Sequence, residues 1–321
     1  DGLLALFFLI AGIEVKREFT TGELRERRAA ALPVIAAVGG MIVPALVALA
    51  ASGGAIGSGG AWAIPVATDI AFALGVLAIA GSMLPAGVRA LLLSMAVIDD
   101  LIAILLIAIL FTSGFDAAWL AGGLVACAAW RLLWSASERP PVVLLVVVAA
   151  AAWICIHASG VHATVTGVLL GLLVPRGAAS GRLEHRLHPW SAGVAVPLFA
   201  LAAAGIPLDA AGEVLSDDIA RGVLFGLLVG KLIGVLGSSW LAVRGRVAEL
   251  PAGVGWADVV PVALLAGIGY TVSLLVAQLS VGDESDRDAA SAAVLVASAL
   301  AATGAAFLLR RRSRVHGGDQ D

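Results

Sequence analysis

The sequence predicts an all-α polytopic membrane protein built on an inverted repeat, with two of its transmembrane helices broken. Three observations predict it: a composition far from the soluble range, connecting loops that alternate in charge, and ionisable or helix-breaking residues in the middle of apolar stretches. Of 321 residues, 60% are hydrophobic and 13% charged, and the mean hydropathy is +1.02. A soluble domain carries about twice that share of charge. The net charge of -3 offers no basic surplus for nucleic acid. Cys127 and Cys155 lie within apolar runs, where a thiol behaves as a small hydrophobe, so neither a disulfide framework nor a Cys-based metal site is expected. The sequence enters an apolar run at once, Leu3 to Ile10, without the basic region or cleavage site of a signal peptide. It reads as opening inside a helix.

A membrane helix needs about 20 apolar residues to cross roughly 30 Å of hydrocarbon. About eleven stretches qualify: 1–15, 30–51, 61–81, 88–112, 117–134, 141–158, 161–174 (a short one), 190–206, 219–242, 257–279 and 288–309. The loops between them support this count. All of the 20 Lys and Arg except Arg221, Lys231 and Arg287 fall on one side: Lys16 to Arg28, Arg89, Arg131 and Arg139, Arg176 to Arg186, Arg244 and Arg246, and Arg310 to Arg314. The opposite loops are neutral or acidic, with Asp209, Glu213, Asp217 and Asp218 in one and Asp283, Glu284 and Asp286 in another. The positive-inside rule assigns the basic side to the cytoplasm. The tail at 310–321 is then cytoplasmic, and the whole of 1–321 is one transmembrane domain in the plasma (bacterial inner) membrane.

Two of these stretches are interrupted. Pro65 stands just before Thr68 and Asp69 in the third, and Gly267-Ile-Gly-Tyr-Thr271 loosens the tenth. Irregular backbone at membrane depth is tolerated only where protein or a polar cavity surrounds it. Aligning residues 30–112 with 219–309 puts an interrupted span in the middle of each triplet, and the two triplets run in opposite directions, as an inverted repeat requires. Half-helix ends then bring partial charges together: Asp69 is placed to balance positive N-termini and Lys231 negative C-termini.

Charge inside these stretches is costly, about 2.5–3.5 kcal/mol per group on insertion scales. Four such groups occur: Asp69, Asp99, Asp100 and Lys231. A single Asp–Lys pair would be as consistent with structure as with transport. Three acids against one base leave a surplus, and Asp99 and Asp100 point about 100° apart on a helix, so one partner cannot serve both. A carboxylate left over suits a proton or a hard cation, with Asp100, Asp99 and Thr68 as oxygen donors. Two rival readings stay open here. An intramembrane aspartyl protease would also bury two Asp, but its Gly-x-Gly-Asp signature is absent, Tyr270 following Gly269. A sodium-coupled organic-anion symporter on a similar plan is the main alternative.

Several motifs carry a resemblance. They are Gly12-Ile-Glu-Val-Lys-Arg-Glu18, Pro33 to Pro44, Trp62 to Gly75, Ile98-Asp-Asp-Leu101, Ser159-Gly-Val-His-Ala163, Arg182 to Trp190, Gly230-Lys231 and Gly267 to Thr271. With these, the sequence resembles the NhaA-type sodium/proton antiporters along essentially its whole length, a family that is itself a standard example of inverted repeats with broken helices. The resemblance implies a secondary active transporter rather than an enzyme. It would perform electrogenic, pH-regulated Na+ (or Li+)/H+ antiport by alternating access, serve pH homeostasis, and need no cofactor beyond its transported ions. It further implies that Asp100 and Asp99 hold Na+, with Asp100 the more direct ligand, and that Lys231 pairs with Asp99. Thr68 and Asp69 would form the crossing of the broken helices. Glu14, Arg17, Glu18, Glu184, His185 and His188, the last three read as sharing a short basic loop, would form a cytoplasmic pH-response cluster. His162 and Tyr270 are further candidates. Ile102, Ala203 and Tyr270 depart from the family's Gly, Asn and Phe. The family's first helix and β-hairpin, a homodimer contact, have no counterpart in these residues, which therefore read as N-terminally truncated.

Overall fold

The computed structural model describes residues 2–57, 59–137, 139–203, 205, 212 and 214–318; the predicted acidic residues Asp209 and Glu213, the end of the eighth stretch and residues 319–321 of the tail lie outside them. The described residues are helical with no strand. Six helical segments are long and apolar enough to cross a membrane: Ala29–Ala51, Ala61–Ala80, Ala86–Leu110, Ala117–Ala136, Asp218–Arg244 and Glu284–His316. A pair bent by 43°, Trp256–Leu265 with Tyr270–Ser280, makes a seventh. Helix also covers the remaining stretches of the eleven, in shorter or more polar pieces. The fold is the predicted all-α membrane architecture, and the chain divides into two compact units, Asp1–Thr20 with Ile104–Leu201 and Thr21–Ala103 with Ala202–Asp321.

The first unit contains α1 (Gly2–Thr21), α5 (Ala117–Ala136), α6 (Val142–Ala158), α7 (Thr164–Leu173), α8 (Ala178–Trp190) and α9 (Val196–Ala203). Its apolar core gathers Leu9, Ile13, Trp130, Trp134, Ile156 and Leu170. α7 carries Gly167 and Gly171 four residues apart, and a Cβ on Gly171 would lie 2.9 Å from the Gly12 Cα of α1. Small residues at this spacing let membrane helices touch backbone to backbone, which matters in lipid because no hydrophobic driving force pushes helices together there. Lys16 then caps the C-terminus of α7, donating to the carbonyls of Leu172 (2.8 Å) and Val174.

The segment read as a basic loop, Arg182 to Trp190, is helical as α8 and runs through a π-turn at Ser191–Ala195 into α9. Its charges are as compatible with a solvated helix as with a loop, and Pro189 interrupts the hydrogen-bond ladder just where the π-turn begins. His185 and His188 therefore sit on a helix, not in a short loop.

The second unit contains α2 (Arg27–Ala51), α3 (Ile70–Ala80), most of α4 (Ala86–Leu110), α10 (Asp218–Phe225), α11 (Lys231–Arg244), α12 (Trp256–Leu265), α13 (Tyr270–Ser280) and α14 (Glu284–Gly318). A 3-10 helix, Ala61–Val66, precedes α3, and a π-turn, Gly226–Gly230, joins α10 to α11. α2 and α11 cross at Gly39 and Gly234, where a Cβ on Gly234 would stand 3.0 Å from the Gly39 carbonyl carbon. That approach leaves Lys231, one turn before Gly234, facing inward with no exposure. The predicted tail at 310–321 is helix as far as Gly318, because no breaker intervenes before Gly317 and its inner face finds partners described below.

Candidate functional site

Both predicted breaks are present and they meet. Ala67 (ψ 152°) and Asp69 (ψ 100°) are extended between the 3-10 helix and α3, and residues 266–269 separate α12 from α13. The two irregular stretches hydrogen-bond each other, Asp69 N donating to the Ile268 carbonyl at 2.6 Å. Ser273 Oγ donates to the Ile64 carbonyl (2.6 Å), so backbone freed from one ladder is satisfied by the other segment.

Asp69 is 1% exposed and caps two helices at once. Its Oδ1 accepts from Phe72 N at 3.1 Å, the N-cap bond of α3, and its Oδ2 accepts from Thr271 N at 3.1 Å and Thr271 Oγ1 at 2.7 Å, in the first turn of α13. One negative charge thus faces the positive ends of two helix dipoles. Tyr270 adds a ring contact across the same crossing, its centroid 4.9 Å from that of Phe72.

The opposite polarity is met by Lys231. Its ammonium has three protons and three acceptors: the Val66 carbonyl at the end of the 3-10 helix, Thr68 Oγ1 at 3.0 Å and Asp99 Oδ2 at 2.8 Å. Thr68 Oγ1 also lies 2.6 Å from Asp99 Oδ2 and 2.9 Å from the Ala266 carbonyl. Lys231 and Asp99 are 0% and 1% exposed, so the pair is wholly removed from solvent. Asp99 Oδ1 is buried without a hydrogen-bond partner among the described residues. Asp100 follows on α4, 2% exposed and turned about 100° around the helix from Asp99.

The other predicted residues lie in the first unit. Arg17 reaches both carboxylate oxygens of Glu184 at 2.8 Å, and Glu14 is within electrostatic range of both. Glu18 is buried on α1, whereas His185 and His188 are exposed on α8. The structure thus joins Arg17, Glu184 and Glu14 and leaves the two imidazoles on the surface. His162 Nδ1 lies 2.8 Å from Thr164 Oγ1, at the start of α7.

Sequence reasoning did not single out Thr271, although its place just after a break is where a second capping hydroxyl would be sought. It also missed the π-turn that aims Lys231, for which Gly226 and Gly230 are the local signal. Ser298, which accepts from Gly269 N at 3.3 Å, had none, being one small residue in an Ala-rich helix.

The family model described as Na+/H+ antiporter 1 matches residues 1–309. The chain belongs to the Na+/H+ antiporter 1 family. Members of this family similar to it include proteins described as Na(+)/H(+) antiporter NhaA 1 from Saccharopolyspora erythraea, 51% identical over 99% of this chain and 79% of the relative, and as Na(+)/H(+) antiporter NhaA from Nocardia farcinica, 50% identical over 100% and 79%. A third, Na(+)/H(+) antiporter NhaA 2 of Rhodococcus jostii, is 47% identical over 100% and 81%. Membership of the Na+/H+ antiporter 1 family and the apolar spans make the chain an integral membrane protein.

Proposed function

We propose that this chain exchanges Na+ or Li+ for protons across the bacterial inner membrane, electrogenically and under pH control, with its C-terminus in the cytoplasm. The relatives' descriptions supply the reaction, and the observation that carries the site is the buried set Asp99, Lys231 and Thr68 beside Asp100 at the crossing of two broken helices. A carboxylate at this depth is held only with a positive partner or a proton. Asp99 commits Oδ2 to Lys231 and Thr68 and keeps Oδ1 uncommitted to any hydrogen bond, while Asp100 follows it in sequence. Na+, a hard cation, is matched by carboxylate and hydroxyl oxygens.

Protons and Na+ then neutralise the same charge and exclude one another, and that exclusion is the coupling. An arriving cation claims both carboxylates and displaces the Lys231 ammonium from Asp99, so the proton held on Asp100 and one from the displaced Lys231 ammonium leave together, two protons per cation. The net movement of charge follows from that ratio. Alternating access exposes the set to one side at a time, and Asp69 and Thr68 hold the crossing through the cycle. Glu14, Arg17, Glu18 and Glu184, with His185 and His188, form the region that responds to cytoplasmic pH.

The test uses vesicles containing the full chain and a pH-sensitive dye. Adding Na+ or Li+, but not K+, collapses an imposed proton gradient, and the rate responds to a membrane potential set with K+ and valinomycin. Asp100→Asn abolishes the response. Normal transport by Asp100→Asn would refute the site, and counterflow of a labelled organic anion without proton movement would replace the reaction by symport.

A further inference from the structure

The helix α14 is tied to the broken pair at points that the ion site does not use. At the crossing, Ser298 Oγ accepts from Gly269 N. Within its last two turns, Ser313 Oγ donates to the carbonyl of Ala80 (3.4 Å), the C-terminal residue of α3. Arg312 Nε and His316 Nε2 approach Asp258 Oδ1 at 2.8 and 3.2 Å, in the first turn of α12. One stretch of α14 therefore grips the outer ends of both half-helices.

Asp258 also has a local partner at the start of its own helix. Its Oδ2 accepts from Gly255 N at 2.9 Å, and a carboxylate in a first turn is already favoured by the helix dipole. Even so it has no exposure, and a guanidinium and an imidazole from 54 and 58 residues away cover it. Arg312 and His316 are four apart, on one face of α14. A guanidinium keeps its charge, whereas an imidazole gains one only on protonation, which makes histidine the side chain suited to a pH-dependent contact.

The grip faces few other charges. α14 packs chiefly on α3, α10, α12, α13 and the 226–230 turn. α3 and the turn carry no ionisable side chain, and α13 carries Tyr270 at its crossing end. The Asp218 and Arg221 of α10 lie toward the start of α14, where Asp217 influences Asp286. Asp258 from α12 and Arg312 from α14 are thus the charged groups facing His316 from the elements packed there, among the described residues.

We propose that Arg312, Ser313 and His316 form a latch on the cytoplasmic ends of α3 and α12, tightened when His316 is protonated, which restrains the broken-helix pair in acid and releases it as pH rises. The latch's bearing on transport rests on the antiport reading above; the latch itself does not. The three are positioning residues, acting on the proposed ion site through α3, which Asp69 caps, and through α12, whose C-cap Ala266 carbonyl accepts from Thr68 Oγ1.

The test reads the latch and the transport separately, on the full chain in proteoliposomes. Amide hydrogen exchange is followed in the segment 253–262 at pH 6 and pH 8, corrected for intrinsic exchange rates, in the wild type, His316→Gln and His316→Arg. Protection in the wild type is expected to be about fivefold greater at pH 6, the gain of making one hydrogen bond charge-assisted. His316→Gln should show the weaker value at both pH values and His316→Arg the stronger. Equal pH dependence in all three proteins overturns the latch. In the Na+-driven proton assay, His316→Gln should extend activity to lower pH and His316→Arg should slow transport several-fold at pH 8. Coincident transport profiles alongside the expected exchange pattern would remove the latch from transport. If even the wild type moves no protons with Na+ while the exchange pattern holds, the antiport reading falls and the latch stands.

Discussion

Removing both members of the Asp99–Lys231 pair should harm the protein less than removing either one. The ammonium and carboxylate stand 2.8 Å apart at 0% and 1% exposure. At an effective dielectric constant of about 20, their attraction is roughly 6 kcal/mol. Most of it offsets the cost of taking both ions out of water, so the intact pair adds little net stability. Lys231→Gln leaves Asp99 either to bury a bare charge or to take up a proton, and Asp99→Asn leaves Lys231 either to bury one or to give up a proton. Each single change should cost about 3–5 kcal/mol. The double variant keeps amide hydrogen bonds to Thr68 and the Val66 carbonyl and buries no charge, so its cost should be about 1–2 kcal/mol. The coupling energy is then at least about 3 kcal/mol. The assay is unfolding of the four purified proteins in one detergent, followed by tryptophan fluorescence at pH 7.5. Additive effects, with the double variant as unstable as the two losses summed, would show that the pair is not the isolated buried couple that its geometry describes.

Two further expectations follow from geometry and charge. Asp69→Ala removes acceptors from Phe72 N, Thr271 N and Thr271 Oγ1 together, and should destabilise by about 3–9 kcal/mol at roughly 1–3 kcal/mol per orphaned donor; Asp69→Asn keeps one acceptor oxygen and should recover about half, and equal melting of the two variants would contradict the double cap. Partial burial, with Asp217 and Asp283 nearby, raises the pKa of Asp286 above its ordinary 3.8. Its contribution to stability is therefore fully present below pH 3.8 and is lost as pH rises through the raised value. Asp286→Asn should flatten that part of the stability profile and melt slightly higher than the wild type at pH 7; a wild-type slope retained in the variant would count against it.

The buried charged set proposed as the ion site was legible in the sequence because a charge in hydrocarbon has no cheap explanation. Asp69, Asp99, Asp100 and Lys231 stand out against Ala, Leu, Ile and Val, and Pro65 and the Gly267-Ile-Gly run mark the breaks beside two of the segments that meet there. What lay hidden were relations without a local cost. Asp258 sits at the edge of its span, where a carboxylate is unremarkable until a helix 54 residues later is found to cover it. Arg182 to Trp190 is polar whether coil or helix, so composition did not separate the two. At the π-turn, Gly226 and Gly230 mark the place in the sequence, but their close approach to Pro65 and Pro44 of neighbouring segments is not contained in either glycine.

The single carboxylate at the crossing also limits how this protein can move. Asp69 closes the ends of two helices, its own backbone N–H is given to Ile268, and Thr68 leans on the carbonyl of Ala266. Parting α3 from α13 would strip one helix of its cap while the other kept it, at groups buried from solvent in the present arrangement. The crossing is therefore expected to travel as one rigid body. On the alternating-access reading proposed above, the change that admits ions is expected around its perimeter and not by the two half-helices separating like jaws.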